Sequence, residues 1–188
     1  MSASSKQPVF YYDLGDPACY LAAERIITAL AVLAEWEPVL ASAIGIEPAS
    51  IDRAAVERQA AASDMQPVRW PPQLPMDTDV AMLAATYAKR IGKTVAFSLA
   101  AFRQAFAAGR DLGELDTVLV AGAACEIHPS ALSTGIRLRH VGDALAAACE
   151  RANRAGIRAL PALQVGDALF QGEGMLELAA AELGARVR

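Results

Sequence analysis

The chain opens with a short apolar run that gives way to a helical pattern of apolar residues. Val9–Tyr12 consists of β-branched and aromatic residues, which predicts a strand buried on both faces. After Gly15, the pair Asp16 and Pro17 indicates a helix start, because a carboxylate can cap free backbone N–H groups and proline suits the first helical position. Apolar residues then recur at spacings of three and four, which predicts an amphipathic helix. These residues are Cys19, Ala22, Ala23, Ile26, Ile27, Leu30 and Leu33.

The next part of the chain is predicted to be a strand followed by a long helical section. A second strand at residues 36–41 would complete a strand-helix-strand unit with a parallel pair. Alanine-rich segments with three-to-four spacing then predict a series of helices. The predicted helices span residues 54–63, 78–91, 95–108, 114–125 and 141–155. Four prolines within residues 66–75 exclude a helix there and indicate an extended loop.

Strand patterns return near the end of the chain. Residues 160–165 and 168–170 are predicted strands joined through Gly166 and Asp167, a two-residue hairpin pattern. A last helix is predicted over residues 175–183. This order predicts an α/β fold in which residues 1–45 and 140–188 form one domain and residues 46–139 form a helical insertion.

Composition and charge narrow the function classes. With 188 residues, of which 54% are hydrophobic, the chain can bury a sizeable core. A net charge of -4 and a pI near 5.2 leave no basic surface for nucleic acid or acidic membranes. No apolar run is long enough to span a bilayer, and the polar residues 1–7 lack the pattern of a secretory signal. We therefore expect a cytoplasmic protein that acts on a small-molecule substrate.

The cysteines and histidines do not suggest a metal centre. Cys19, Cys125 and Cys149 are odd in number and far apart, which matches neither a disulfide framework nor a zinc site. We expect reduced thiols and no metal, with Cys125 and Cys149 in the core. His128 and His140 are predicted to have structural roles rather than to act as ligands or bases.

Several short motifs occur in a shared order along the whole chain. They are Phe10-Tyr11-Tyr12-Asp13-Leu14-Gly15, Tyr20-Leu21-Ala22-Ala23-Glu24-Arg25, Arg69-Trp70-Pro71-Pro72, Ala105-Phe106-Ala107-Ala108-Gly109-Arg110-Asp111, and Leu160-Pro161 with Leu169-Phe170-Gln171-Gly172. With these motifs the sequence resembles the DsbA-like superfamily, and within it the branch of 2-hydroxychromene-2-carboxylate isomerases and kappa-class glutathione transferases. The resemblance implies a thioredoxin fold with a helical insertion, and glutathione or another low-molecular-weight thiol as cofactor. Since such relatives are commonly dimers, it is also compatible with a homodimer.

The resemblance places the active site at the turn after the first strand. Asp16 occupies the position of the serine that activates glutathione in that branch, and Cys19 matches the second cysteine of the redox motif Cys-x-x-Cys. Both are therefore candidate catalytic residues. Two simpler roles stay open, since Asp16 could serve only as an N-cap and Cys19 only as a buried apolar side chain. A carboxylate has no proton to donate at neutral pH, so we expect Asp16 to repel a glutathione thiolate.

The remaining candidate residues are cofactor contacts implied by the same resemblance. Pro161 matches the cis-proline of the fold, which would leave the backbone N–H and C=O of Leu160 free to pair with glutathione or a peptide. Pro17, Gly172 and Glu173 complete the set. Glu173 would replace an aspartate that the branch uses for the γ-glutamyl group.

Three functions follow from this pattern. The first is a glutathione-dependent isomerase or transferase that acts on an apolar or aromatic substrate, and the resemblance favours it. The second is a thiol-disulfide oxidoreductase that uses Cys19 alone. The third is a non-catalytic protein that binds a small molecule or peptide on the same fold, which the residues at Asp16 and Gly174 favour on physical grounds.

Overall fold

A computed structural model describes residues 7–47 and 50–186 of the chain. Residues 1–6, which make up most of the polar N-terminal segment, and residues 48 and 49, near the start of the predicted insertion, lie outside the described residues. Within the described part the chain forms four strands and eight α-helices. None of the helices described there is both long and apolar enough to cross a membrane.

The strands form one mixed sheet in the order β2-β1-β3-β4. They are β1 (Val9–Tyr12), β2 (Glu35–Pro38), β3 (Ala162–Val165) and β4 (Ala168–Gln171). β1 pairs in parallel with β2 and antiparallel with β3, and its residue Phe10 lies opposite Trp36 on one side and Leu163 on the other. β1 is central because its apolar side chains can be buried on both faces of the sheet, and Phe10 and Tyr12 are fully buried. The predicted parallel start and the β3–β4 hairpin are confirmed.

The helices agree closely with the predicted segments. They are α1 (Pro17–Ala29), α2 (Arg53–Ala62), α3 (Asp79–Arg90), α4 (Thr94–Phe106), α5 (Leu115–Ala124), α6 (Pro129–Gly135), α7 (Arg139–Arg154) and α8 (Met175–Arg186). The seven-residue α6 was not predicted, because its serine, threonine and glycine residues have low helix propensity. It begins after His128, whose Nδ1 accepts the backbone N–H of Ser130 at 3.2 Å. His128 therefore caps a helix.

The apolar pattern overestimates the length of α1. The helix ends at Ala29, and Leu30 has extended backbone angles (φ -99°, ψ 138°) as the chain turns towards β2. The predicted apolar face included Ile27 and Leu33, but these side chains are 52% and 73% exposed. That part of the prediction is wrong, since no other described element covers the end of α1 on this side.

Two predicted strands are also too long. The pairing of β2 with β1 ends at Pro38, and a short 3₁₀ helix, Ser42–Ile44, follows. β3 begins at Ala162 rather than at residue 160, because Leu160 and Pro161 precede the first paired residue. The effect is to leave the backbone just before β3 outside the sheet.

Aromatic rings pack the sheet against α4. The ring of Tyr12 lies 5.3 Å from that of Phe10 and 5.9 Å from that of Phe102, measured between centroids. Tyr20 of α1 stacks on Phe106 at 5.5 Å. The Tyr12 hydroxyl also hydrogen bonds with the Ser98 hydroxyl at 2.6 Å. Pairs of this kind contribute about 0.5–1.5 kcal/mol each beyond simple burial, so the end of β1 and the start of α1 are firmly held.

A buried carboxylate links the edge strand β2 to two helices. Glu37 Oε2 lies 2.9 Å from Lys89 Nζ of α3 and 3.0 Å from Arg151 Nη2 of α7. The Glu37 side chain is only 8% exposed, whereas both cations are more accessible. The pairing of this carboxylate with two cations compensates for its burial.

α2 is joined to the proline-containing segment through a tryptophan. Trp70 Nε1 donates to Glu57 Oε1 at 2.6 Å, and the Arg53 guanidinium lies 5.1 Å from the Trp70 ring centroid. Arg53 and Glu57 both belong to α2. These contacts hold α2 beside the loop that contains residues 66–75.

Candidate active site

The carboxylate of Asp13 joins three segments just below the predicted active-site turn. Its Oδ1 accepts hydrogen bonds from the Gly15 N–H at 2.9 Å and the Thr78 hydroxyl at 3.0 Å. Its Oδ2 accepts from the Ala41 N–H at 2.9 Å. Burial raises the pKa of Asp13, while these three hydrogen bonds act to lower it. Asp13 therefore fixes the turn against the segment after β2 and against the start of α3.

Asp16 is the N-cap of α1, as the sequence predicts. Its backbone is extended (φ -97°, ψ 116°), and its Oδ1 accepts from the N–H of Ala18 at 2.7 Å and of Cys19 at 3.4 Å. Burial raises the pKa of Asp16 to about 6, although these hydrogen bonds oppose the rise. This qualifies the expectation that Asp16 is simply an acceptor at neutral pH, because a carboxylate with such a pKa can take up and release a proton near neutrality.

Cys19 lies beneath the turn and is fully buried. Burial raises the pKa of the Cys19 thiol well above its ordinary value, and the nearby Asp16 carboxylate raises it further. The side chain is therefore a neutral thiol that packs as a small apolar group. All three cysteines are free, and Cys149 is buried whereas Cys125 is only half-buried.

The segment before β3 presents backbone groups at the surface of a cleft. The Leu160–Pro161 peptide bond is cis, as expected from the resemblance. The Pro161 carbonyl accepts from the Gly172 N–H at 2.9 Å. In the part of the chain that the structure describes, the backbone N–H and C=O of Leu160 have no hydrogen-bond partner, although this residue is only 8% exposed. Buried backbone groups without a partner are uncommon and indicate a place for a ligand or water.

One cleft of about 1160 Å³ brings most of the predicted site residues together. The predicted residues that line it are Asp16, Pro17, Leu160, Pro161, Gly172 and Glu173. Cys19 does not line this cleft. The structure thus collects the predicted cofactor contacts around Asp16, whereas Cys19 contacts Asp16 from the buried side and does not line the cleft. The role of each residue stays a prediction.

Both apolar and acidic residues line the cleft. Leu21, Val56 and Met76 are among the apolar ones, and Asp77 and Asp79 are among the acidic ones. Among the described residues that line the cleft, none is aromatic and none is histidine. No group of three or more histidine, cysteine, aspartate or glutamate side chains within residues 7–47 and 50–186 is arranged to hold a metal ion.

Three residues that shape or line this cleft, Asp13, Thr78 and Arg158, were not predicted as site residues. Asp13 was considered only as part of a motif. An acidic residue that directly follows a buried strand can nevertheless indicate a buried carboxylate that accepts hydrogen bonds. The contact of Thr78 with Asp13 joins positions 65 residues apart, so no local pattern could show it. Arg158 interrupts an otherwise apolar run before Pro161, and that interruption was the available signal.

Comparison with known families settles the fold family. The model of the DSBA-like thioredoxin domain matches residues 9–184. This chain belongs to that family. The DSBA-like chain therefore has the thioredoxin fold with a helical insertion that its motifs imply. A comparison with curated proteins gives no significant match.

Solved structures similar to the DSBA-like chain include both isomerases and disulfide-exchange proteins. A 2-hydroxychromene-2-carboxylate isomerase has a TM-score of 0.85 at 14% identity, and the match covers 96% of each chain. A probable DsbA oxidoreductase from Streptomyces coelicolor has a TM-score of 0.78 at 17% identity, with 96% of this chain and 89% of that chain covered. The disulfide reductase DsbM from Pseudomonas aeruginosa, solved with GSH, has a TM-score of 0.67 at 14% identity, with coverage of 97% and 99%. At these identities the likeness concerns the fold.

Proposed function

We propose that this DSBA-like protein is a glutathione-dependent isomerase or transferase, in which Asp16 replaces the usual serine as the residue that handles the thiol proton. The observation that carries the proposal is the placement of Asp16, with a pKa of about 6, in the same cleft as Leu160, whose backbone has no hydrogen-bond partner among the described residues. Cys19 is excluded from that cleft. The proposed substrate is an apolar or aromatic molecule.

The residues around the cleft are suited to holding glutathione or another low-molecular-weight thiol. The N–H and C=O of Leu160 can pair with the backbone of a cysteinyl residue, in the manner of strand addition. The cleft volume of about 1160 Å³ exceeds the space that one small ligand needs, which leaves room for a second molecule. DsbM, a structural neighbour, was solved with GSH, which also supports the proposal.

When bound, the thiol supplies a nucleophilic sulfur that can add reversibly to an electron-poor carbon of the substrate. Asp16 takes the proton of the S–H group onto its carboxylate, and the resulting neutral carboxyl group donates a hydrogen bond in place of the family's serine hydroxyl. In an isomerisation Asp16 returns the proton to the sulfur when the thiol is eliminated again, and in a transfer reaction it gives the proton to the substrate carbanion formed by the addition. Its pKa suits this exchange, since a base works best when its pKa is close to the working pH.

The apolar wall formed by Leu21, Val56 and Met76 is the proposed place for the substrate. Burial of an apolar substrate against these side chains would be favourable by about 25 cal/mol for each Å² removed from water. Because no described residue of the wall is aromatic, shape and burial rather than ring stacking would select the substrate.

A disulfide exchange activity that uses Cys19 alone is disfavoured by the burial of its thiol. The thiolate is the nucleophile in such exchange, and access to it is required. Cys19 has a raised pKa and no exposure.

A non-catalytic binding role is favoured by one observation, that Asp16 Oδ1 already accepts two backbone N–H groups as an N-cap. A rate measurement with bound glutathione distinguishes this role from catalysis.

Calorimetric titration with glutathione tests binding, and addition of glutathione to an unsaturated ketone tests catalysis. We expect binding in the millimolar range or tighter, and an addition rate above the uncatalysed rate. No binding at millimolar glutathione would exclude the proposal, while binding without rate acceleration would indicate the non-catalytic role.

Substitutions of Asp16 identify its part in the reaction. Asp16→Asn keeps the N-cap but cannot accept the proton, so it should bind glutathione and lose the rate acceleration. Asp16→Ser restores the residue typical of the resembling branch and should retain activity. If Asp16→Asn were as active as the unmodified protein, the assigned role of Asp16 would be wrong.

A further inference from the structure

The segment that contains Arg158, just before Leu160, is held in place by hydrogen bonds. Gln171 Oε1, from the end of β4, accepts from the backbone N–H of Arg158 at 2.6 Å and of Ala159 at 3.1 Å. Gln171 Nε2 donates to the Gly156 carbonyl at 3.5 Å. One amide side chain therefore spans the segment between α7 and Leu160. As a result the backbone of Arg158 is fixed two residues from Leu160.

The other two arginines of the cleft already have partners. Arg25 forms an ion pair and hydrogen bond with Glu177, and Arg53 lies over the Trp70 ring. Within the described residues Arg158 has no acidic partner, and it uses Nη1 to donate to the Ile157 carbonyl at 2.6 Å. A guanidinium group carries five N–H donors, so donors remain for a ligand. Arg158 also lines the cleft.

The charge of the cleft makes this cation important for an anionic ligand. Glu173 and Asp79, which form no ion pair with any residue that the structure describes, line the same cleft and would repel a carboxylate-bearing molecule. A glutathione molecule carries two carboxylates, and its cysteinyl backbone would lie along Leu160 under the proposed function. A guanidinium group near Leu160 can bind a carboxylate through two parallel hydrogen bonds.

We infer that Arg158 binds a carboxylate of the thiol ligand and thereby selects acidic thiols, an inference that rests on the proposed function of the cleft. Arg158 acts as a binding residue and takes no part in proton transfer. Gln171 acts as a positioning residue, because it fixes the segment from which the Arg158 side chain extends.

The test compares glutathione with its diethyl ester, in which both carboxylates are neutral, by calorimetry. We expect the unmodified protein to bind glutathione more tightly than the ester, with a preference that falls as salt is added. Arg158→Gln should weaken glutathione binding about fivefold, as for a partly exposed ion pair, and leave ester binding unchanged. The substitution keeps the backbone bonds to Gln171, so the fold should be retained, and a thermal melt checks this.

Arg154→Gln is the matched control. Arg154 is exposed on α7, donates Nε to the Glu150 carbonyl and does not line the cleft. Its substitution should change neither affinity. Equal glutathione affinity in Arg158→Gln and the unmodified protein would overturn the inference, as would an equal loss for glutathione and ester. Failure of the unmodified protein to bind glutathione at all would instead overturn the proposed function, and this inference with it.

Discussion

The hydroxyl of Thr78 donates a hydrogen bond to the buried carboxylate of Asp13 at 3.0 Å, and its methyl group lies against Gly15. A Cβ placed on Gly15 would be only 2.8 Å from Thr78 Cγ2. The turn after β1 and the start of α3 therefore approach each other too closely for a larger residue at position 15. This contact sets the separation of two walls of the cleft.

Gly15→Ala should destabilise the protein by about 1–3 kcal/mol, because the added methyl group overpacks the contact with Thr78. In a Thr78→Ser background the cost should be smaller, since serine lacks the methyl group but keeps a hydroxyl for Asp13. Urea denaturation of the two single variants and the double variant measures this coupling. Equal costs in both backgrounds would show that Thr78 is not the limiting contact.

Asp16 should make the protein more stable as the pH falls from 7 towards 4. The folded-state pKa of Asp16 is about 6, above its ordinary value of 3.8, so the folded state binds a proton that the unfolded state does not. Asp16→Asn removes this dependence and keeps the cap. On acidification, the free energy of unfolding of the unmodified protein should therefore rise relative to that of Asp16→Asn. The expected rise is on the order of 1 kcal/mol, because Asp16 is partly exposed. Denaturation across this pH range measures it, and a difference that is independent of pH would contradict it.

Cys19 should be unreactive towards a thiol reagent in the native protein at neutral pH. Its thiol is fully buried and burial raises its pKa, whereas Cys125 is half-buried. We therefore expect the fastest phase of labelling with a disulfide reagent to disappear in Cys125→Ser and to persist in Cys19→Ala. A fast phase that is lost only in Cys19→Ala would favour the oxidoreductase function instead.

Glu37→Gln should destabilise the protein by about 2 kcal/mol, because it removes the negative charge between Lys89 and Arg151 and leaves a buried amide in its place. Glu35→Gln provides the control. Glu35 also contacts Lys89, at 2.8 Å, but its side chain is 47% exposed, so its loss should cost no more than about 0.5 kcal/mol. Chemical denaturation measures both, and equal costs would show that burial of Glu37 has no special effect.

Local chemistry was sufficient to predict all four strands and seven of the eight described α-helices, but not α6. The Asp16–Pro17 helix start, the Gly166 turn between β3 and β4, and the alanine-rich helices all depend on neighbours close in sequence. Apart from α6, whose residues have low helix propensity, the errors arose where a distant partner decides the outcome. Leu33 continues the apolar pattern of α1, yet it is 73% exposed because no described element packs over it.

The location of the cleft was more predictable than its chemistry. The family motifs identified the turn and Pro161, and the structure brings both to one cleft. The pKa of Asp16 depends on how deeply the fold buries it, which no sequence pattern specifies. Likewise, the position of Arg158 depends on Gln171, which contacts the segment from another strand.

The two tryptophans of the chain lie in different environments, which gives the protein a built-in optical reporter. Trp36 is buried in the core beside Phe10 and Tyr12, whereas Trp70 is half-buried and bonded to Glu57 on α2. Since Arg53 and Val56 of α2 line the cleft, a ligand that displaces this helix would alter the emission of Trp70 and leave that of Trp36 unchanged. Trp70 fluorescence would then report such a displacement without a label.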